Sequence, residues 1–533
     1  MIVAIIPAKE ESNRLPNKNL LTINGKSLVE HAIEFAKKSH KIDHIYVSTD
    51  SEKIAAHVNE IDVDVIMRSK DLSGETPLIQ VYRHALSKID NDNITHIVGI
   101  QPDNPDRNLN PDMAIDYAID KNIDSLFTVN RNGRRNGSLA IIKREVLEAS
   151  DPNYCASLMD DCINIHNQFD FLMATRNLSR YADTLFMGNR IISKNDPVFI
   201  VAEAACNHMC RVDSAKRMIE LASEAGVDAI KFQTYQAENL VSTSAKAFWG
   251  NETISQLEYY KKLDRFGKEE YEEIFIYAKE KGIIAFSSPF DAKNAEMLNE
   301  IGMPIFKIAS CDIDNVRHLQ HIASFGKPII LSTGASTMDE IDKAIEVIFK
   351  QDNYQLILLA CTLSYPTKNE DANLLKIQTL QERYPGMIIG LSDHTEPDPH
   401  MVIPSVAVAL GAKIIEKHFT LDRSMTGSGH FFAVEPEDLC KLVRNIRLTE
   451  TLFGDGSLGV ADSEKEAWAS ARRSITAEIP IPKGRVITEE MLSMKRPALG
   501  LSPAIIDELI GKRAIRDITA GQPIVKDMVD WDS

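Results

Sequence analysis

Val198-Phe-Ile-Val-Ala-Glu203 is an apolar run that ends on a carboxylate, and it opens a series of eight strand-like runs. The other seven cover residues 228–233, 283–288, 304–309, 328–332, 355–361, 387–392 and 413–418. Amphipathic helical stretches, such as 214–225 and 337–349, separate most of them. Eight β-then-α units within roughly 250 residues predict a (β/α)8 TIM barrel.

The flanks read differently. Residues 1–180 alternate short apolar runs (2–6, 45–48, 63–67, 96–100 and 125–129) with helical spacing at 28–38, 51–59 and 78–86. That pattern predicts a doubly wound α/β, Rossmann-like domain. A polar stretch, Gly188-Asn-Arg-Ile-Ile-Ser-Lys-Asn-Asp-Pro197, separates it from the barrel. After Gly454 a short helix over 464–471 gives way to brief strands and turns such as Ile479-Pro-Ile-Pro-Lys-Gly484, which predicts a small β-rich domain. The expected division is 1–187, 188–455, a linker over 456–472, and 473–533.

Composition narrows the class. The 533-residue chain carries a formal charge of −17, which argues against nucleic acid as a partner because phosphate backbones call for basic surface. Local positive charge still suffices for a small anion. No apolar stretch approaches the roughly 20 residues of a membrane span, and the first residues, Met1-Ile-Val-Ala-Ile-Ile-Pro7, lack a signal peptide's basic flank and cleavage site. Seven cysteines without C-x-x-C spacing fit a reducing cytoplasm rather than a disulfide framework.

Barrel active sites collect at the C-terminal ends of the strands. Here those ends carry Glu203, Lys231-Phe-Gln233, Ser287-Ser-Pro-Phe290, Lys307-Ile-Ala-Ser-Cys-Asp312, Ser332-Thr-Gly334, Cys361-Thr362, Ser392-Asp-His394 and Glu416-Lys-His418. Taken singly, each has a bland reading: a serine forms a turn, a lysine snorkels, a histidine sits satisfied in a core. Polar endings on all eight strands favour a site. Two lysines with several serines suit a phosphate and a carboxylate. His394 and His418 on adjacent strands suit one divalent metal acting as a Lewis acid. Glu203, Asp312 and Glu416 offer carboxylates for proton transfer.

These segments resemble the N-acylneuraminate synthases. Ala202-Glu-Ala-Ala-Cys-Asn-His208 is similar to that family's AEIGxNH, Ala229-Ile-Lys-Phe-Gln-Thr-Tyr235 to AxKFQTY, and Phe306-Lys-Ile-Ala-Ser310 to FKIxS. Leu331-Ser-Thr-Gly334, Cys361-Thr-Leu-Ser-Tyr-Pro366, Gly390-Leu-Ser-Asp-His-Thr395 and Glu416-Lys-His-Phe-Thr420 follow in order. The resemblance implies condensation of phosphoenolpyruvate with an N-acyl amino sugar: N-acetylmannosamine or a deoxy or diamino relative. It implies that Lys231, Lys307, Ser310, Ser332 and Ser392, assisted by Ser288, hold phosphoenolpyruvate, and that His394 and His418 bind Mn²⁺ or Mg²⁺. Glu203, Gln233 and Tyr365 would face the sugar or an ordered water. The tail, with Arg472-Arg-Ser474, Pro482-Lys-Gly484 and Arg496-Pro-Ala-Leu-Gly500, resembles the antifreeze-like SAF domain. That implies a domain-swapped homodimer in which Arg496 touches the sugar's acyl group. Two positions depart from the pattern: Gly429 stands where the family has an aspartate, and Leu363 where some members have asparagine.

Ile6-Pro-Ala-Lys-Glu-Glu-Ser-Asn-Arg-Leu-Pro-Asn-Lys-Asn19 offers Lys9, Ser12, Arg14, Lys18 and Asn19 at a strand-to-loop turn, charge and donors that suit a triphosphate. The loop resembles the IPARxxSxRxPxKN signature of acylneuraminate cytidylyltransferases, with Arg68 and Gln101 in supporting segments. That resemblance implies CTP, with Mg²⁺, activating the synthase's product. Where the family carries two metal-binding aspartates, this chain has Asn164-Ile-His-Asn167, a weaker set for Mg²⁺ than carboxylates. The leading expectation is a bifunctional enzyme. A second keeps the synthase and makes the first domain a nucleotide-binding or scaffolding module. A third, a non-catalytic carbohydrate-binding barrel, is disfavoured by the intact lysines and histidines.

Overall fold

The computed structural model describes residues 1–10, 12, 14–73, 76–149, 154–179, 184–188, 190–246 and 255–531. Glu11 and Asn13 of the basic loop, and Asn189 of the polar stretch, lie outside the described residues. Two compact units result, Met1–Leu452 and Phe453–Ser533.

The first unit begins with a seven-stranded sheet made of β1 (Ile2–Ala8), β2 (His44–Thr49), β3 (Asp64–Met67), β4 (His96–Ile100), β5 (Ser125–Val129), β6 (Arg135–Lys143) and β7 (Cys155–Met159), in the order β3-β2-β1-β4-β6-β5-β7. β1 pairs in parallel with β2 and β4, as the doubly wound pattern predicts. Helices start where local chemistry satisfies their free N–H groups: Ser27 forms a capping box with Glu30, and Asn110 caps a helix whose first residue is Pro111. The sequence reading missed β6, which runs antiparallel to both β4 and β5. Its polar start, Arg135-Asn-Gly-Ser138, hid a strand that becomes apolar only at Leu139.

Next comes an antiparallel hairpin, β8 (Thr184–Met187) and β9 (Arg190–Ser193). The border expected at 187/188 falls at its turn. Leu185, Met187 and Ile192 of the hairpin are buried in the barrel's own core, beside Leu172 and Met173 of the preceding helix. At the turn, a Cβ on Gly188 would meet Ile284 at 3.3 Å and Pro304 at 3.7 Å. Those two residues lie where barrel strands begin, so the hairpin closes the end opposite the strand C-termini.

Eight parallel strands then close a barrel: β10 (Phe199–Ala205), β11 (Ala229–Thr234), β12 (Ile284–Pro289), β13 (Phe306–Ile308), β14 (Ile329–Ser332), β15 (Leu356–Cys361), β16 (Ile388–Asp393) and β17 (Ile414–His418). Every strand falls on its expected run. Register sets the site: Glu203 stands level with Lys231 on one side and His418 on the other, Gln233 with Ser288, and Ser392 with Glu416.

The second unit is built on short antiparallel pairs, Ser474–Ala477 with Leu492–Lys495 and Arg513–Ala514 with Val529–Asp530. Its own apolar core includes Ile475, Ile481, Ile487 and Ile524. Among the described residues no helix is long and apolar enough to cross a membrane.

Candidate active site

The strand ends place two tiers of side chains at one end of the barrel. In the deeper tier, the Lys231 ammonium lies 2.8 Å from a Glu203 oxygen and 3.8 Å from Glu416, and donates to Ser288 Oγ at 3.3 Å. Glu203 Oε1 accepts from the Gln233 amide at 3.2 Å, and Glu416 Oε1 from Ser392 at 2.8 Å. Lys307 donates to Ser332 Oγ at 2.7 Å and to its neighbour's carbonyl, Ile308 O, at 3.1 Å. Ser310 Oγ accepts from the Gly334 amide at 2.9 Å. Only glycine permits that approach, since a Cβ at 334 would come within 2.8 Å of the same hydroxyl.

Burial controls the protonation states. It pushes Glu203 up to about 7, against the pull of Lys231 and with the push of Glu416. Burial also works on Glu416, but Lys231 and Lys307 outweigh it and hold that carboxyl below its ordinary value. The Lys307 ammonium is held below its usual range by burial, while Lys231, though equally buried, is raised by its two glutamates. Two carboxylates of one type therefore differ: Glu416 stays ionised, and Glu203 titrates near neutrality.

The outer tier lines a cavity of about 380 Å³. Gln233, Ser310, Asp312, Tyr365 and His418 reach it from the predicted set, among apolar walls that include Tyr235, Tyr260, Phe290, Leu363 and Phe432. Asp312 was expected, with Glu203 and Glu416, to offer a carboxylate for proton transfer. It sits half-buried on the turn after β13, where burial raises its carboxyl and its partners are Cys311 and Asn315. Gly429 also lines this cavity, and a Cβ there would meet the Phe432 ring at 3.0 Å. An aspartate at 429 would need that ring to move.

The two histidine rings lie 5.2 Å apart, with Tyr365 4.4 Å from His394 and Phe432 4.7 Å from His418. His394 Nδ1 is engaged by the Thr362 carbonyl at 2.9 Å and faces Cys361 Sγ at 3.8 Å. His418 Nδ1 is buried without a partner, and burial together with His394 holds the ring well below its usual pKa, so it is a neutral donor. An anchored imidazole beside an unpartnered neutral one fits a divalent metal. Among the described residues no third His, Cys, Asp or Glu joins them.

The sequence reading missed what faces away from this tier. Lys417 and Asp393, alternating with the site residues, form a buried ion pair at 2.8 Å. Ala205, just past Glu203, has a left-handed φ of 47° at an irregularity in β10. Alternation along the strands signalled the first, and the glycine of the AEIGxNH pattern signalled the second.

In the first domain the basic loop is less open than expected. Lys18 is buried against Asp103 at 2.7 Å and donates to Ile165 O at 2.9 Å. Asn19 donates to Lys9 O at 2.8 Å, and Ser12 Oγ accepts from Leu15 N at 3.4 Å. Arg68 is tucked onto Ser48 O at 2.6 Å, and the Gln101 amide packs under Gly137. No polar partner of Arg14 is recorded among the described residues. Asn164 donates to Asn136 O at 3.0 Å, and His166 is exposed. Of the carboxylates around this segment, Asp103 is neutralised by Lys18, while Asp106 and Asp170 accept from the Ile163 and His166 amides at 3.0 and 2.8 Å.

Comparison with known proteins agrees with this geometry. Residues 218–458 match the NeuB family, residues 3–125 a cytidylyltransferase family, and residues 472–530 the SAF domain. The chain is 38% identical over 325 residues to an N,N'-diacetyllegionaminic acid synthase of Campylobacter jejuni, covering 60% of this chain and 96% of that protein. It is 34% identical to the human N-acetylneuraminate-9-phosphate synthase, covering 64% and 95%. The crystal structure of a putative spore coat polysaccharide biosynthesis protein E from Chromobacterium violaceum, 26% identical, superposes with a TM-score of 0.53 over 62% of this chain and 99% of that one. With barrel, strand-end motifs and near-complete coverage of these relatives in agreement, the chain belongs to the NeuB family, its synthase core flanked by cytidylyltransferase-like and SAF domains.

Proposed function

We propose that the barrel condenses phosphoenolpyruvate with an N-acyl amino sugar to give a nonulosonic, sialic-type acid and inorganic phosphate. The observation that carries this reading is the deep tier. Lys307 is buried and bonded only to neutral oxygens, with no carboxylate in direct ion-pair contact among the described residues, an arrangement that an arriving anion would complete. Phosphoenolpyruvate supplies a phosphate and a carboxylate, and Lys231, Ser288, Ser310, Ser332 and Ser392 converge on the same volume.

In the first step the enol carbon of phosphoenolpyruvate attacks the sugar's aldehyde carbon, and the aldehyde oxygen takes up a proton. Glu203, titrating at about 7, is the group that gives it. Water then adds to the phosphate-bearing carbon, which the attack by the methylene carbon leaves cationic, returning a proton to Glu203. Phosphate leaves that same carbon by C–O cleavage to give the 2-keto acid. Glu416 remains ionised and keeps Lys231 charged. A divalent Mn²⁺ or Mg²⁺ held by His394 and His418 would polarise the aldehyde. Gln233 and Tyr365 border the acceptor, and Asp312 supplies a polar edge to its cavity. Gly429, Leu363 and Phe432 make that cavity apolar where a hydroxyl would need a partner, which supports a deoxy or diamino relative with fewer hydroxyls over N-acetylmannosamine. The swapped homodimer, with Arg496 against the acyl group, belongs to the same proposal, as does a reducing cytoplasm for seven unpaired cysteines.

For the first domain the cytidylyltransferase match supports activation of the product with CTP. The occupied Lys18 and the amide at Asn164 favour a second reading, in which the domain binds without transferring. One paired assay tests both: phosphate release from phosphoenolpyruvate with Mn²⁺ and a panel of N-acyl hexosamines, then pyrophosphate release on adding CTP. Silence in the first overturns the synthase. Silence in the second leaves a binding module.

A further inference from the structure

Asp393 and Lys417, on the adjacent strands β16 and β17, stand level in register, and each precedes one of the two histidines in sequence. Side chains alternate along a strand. Glu416 and His418 turn to the barrel interior, so Lys417 between them leaves on the other side, and Asp393 leaves beside it. They are 3% and 2% exposed, Asp393 and Lys417 respectively, and their charged groups lie 2.8 Å apart.

An ammonium has three protons to donate, and Lys417 gives all three to one short segment. They go to Asp393 Oδ2 at 2.8 Å, Thr395 O at 2.5 Å and Thr395 Oγ1 at 3.1 Å. Asp393 Oδ1 closes the ring by accepting from the Thr395 amide at 2.9 Å and from its hydroxyl at 2.7 Å. His394 is the residue in between. Its carbonyl accepts from Thr367 N at 2.9 Å, and its ring is oriented by Thr362 O. The ring therefore hangs from a backbone that is gripped on both sides by the residue preceding His418. One side chain sets where the backbone of His394 lies relative to that of His418.

Stability does not account for this pair. Two buried charges lose their hydration, and apolar side chains of similar volume hold strands together as well or better. What an apolar contact does not supply is direction. Hydrogen bonds fix an angle as well as a distance, and a pair of metal donors needs both. Here the directed contacts sit at the level of two imidazole rings 5.2 Å apart.

We propose that Lys417 is a positioning residue, which with Asp393 and Thr395 locks the spacing of His394 and His418 for one divalent cation. This rests on the reading of those histidines as metal donors. The test is Mn²⁺ titration of the full chain, with free Mn²⁺ read by electron paramagnetic resonance, beside urea unfolding of each variant. The parent should show a saturable site that His394→Ala removes. Lys417→Met/Asp393→Leu, which takes away both charges together, should weaken that site about 10- to 100-fold while the urea midpoint does not fall. Thr395→Val, which keeps the volume and deletes the shared hydroxyl, should weaken it by a smaller factor, and Thr395→Ser should restore the parent affinity. A folded double variant that binds Mn²⁺ as tightly as the parent overturns the proposal and leaves the metal reading standing. Affinity that falls only in step with urea stability overturns it too, since the pair would then be a structural brace. Should the double variant not fold, equal affinities for Thr395→Val and Thr395→Ser overturn the proposal, and weaker binding by the valine variant supports it. A parent without a saturable site, or with one that survives His394→Ala, overturns the metal reading and the proposal with it, so the parent's behaviour distinguishes the two failures.

Discussion

Lys307 in the barrel and Lys18 in the first domain are both buried lysines near the C-terminal edge of a parallel sheet, 2% and 7% exposed. Lys18 is satisfied within the protein by Asp103 and a carbonyl. Lys307 has no carboxylate within ion-pair reach among the described residues and is held by a serine hydroxyl and a carbonyl. Ammonium groups carry a desolvation cost that only a partner offsets. A site that keeps one unpaired is waiting for an anion from outside, and a site that has paired it internally has turned a ligand-binding group into a structural one. The barrel thus keeps an ammonium open to an arriving anion, whereas in the first domain Lys18 is already paired.

That contrast can be broken from either side. His394→Ala should reduce phosphate release to background and remove its dependence on Mn²⁺, measured by metal titration of the full chain; substantial metal-dependent turnover would detach the histidines from the chemistry. Lys307→Met should lower kcat/KM for phosphoenolpyruvate by about 10³-fold, while circular dichroism shows the fold retained. A small effect would mean that the unpaired ammonium is incidental. Glu203→Gln should cost about 10²-fold. In the parent enzyme kcat/KM should fall as pH rises through about 7, since Glu203 must carry its proton to donate it, and a pH–rate profile of the glutamine variant should lack that limb. Asp103→Asn frees Lys18, so calorimetric affinity for CTP without added Mg²⁺ should rise about tenfold; unchanged affinity would show that Lys18 is not on the nucleotide's path. The smallest effect is expected for Ala205→Gly, which relieves a left-handed alanine and should raise stability by about 1 kcal/mol in urea unfolding.

The barrel was legible because its signal is repeated. Eight apolar runs each ended on a polar group, so an error at one strand could not hide the pattern, and the side chains at i and i+2, such as Lys231 with Gln233 or Glu416 with His418, necessarily share the interior. Asp312 was less legible because it lies beyond the end of β13, where strand alternation no longer dictates direction. The nucleotide set was the least legible. Lys9, Lys18 and Arg68 have the right composition for phosphate, but composition does not reveal that Asp103, 85 positions after Lys18, folds back onto it. Strand β6 and the hairpin β8–β9 escaped for a simpler reason: each is short or polar at its start, and tertiary pairing rather than local preference makes it a strand.

The hairpin has a consequence for how such a chain can change over time. Its first arm belongs by sequence to the leading domain and its second to the barrel, yet Leu185, Met187 and Ile192 of both arms fill the barrel's floor. A deletion that trimmed the leading domain at residue 187 would leave half a stopper in the floor and uncover the apolar face beneath it. Selection on the barrel therefore shelters this junction even where the leading domain's own sequence drifts, and the two domains are fastened together more tightly than a simple linker would hold them.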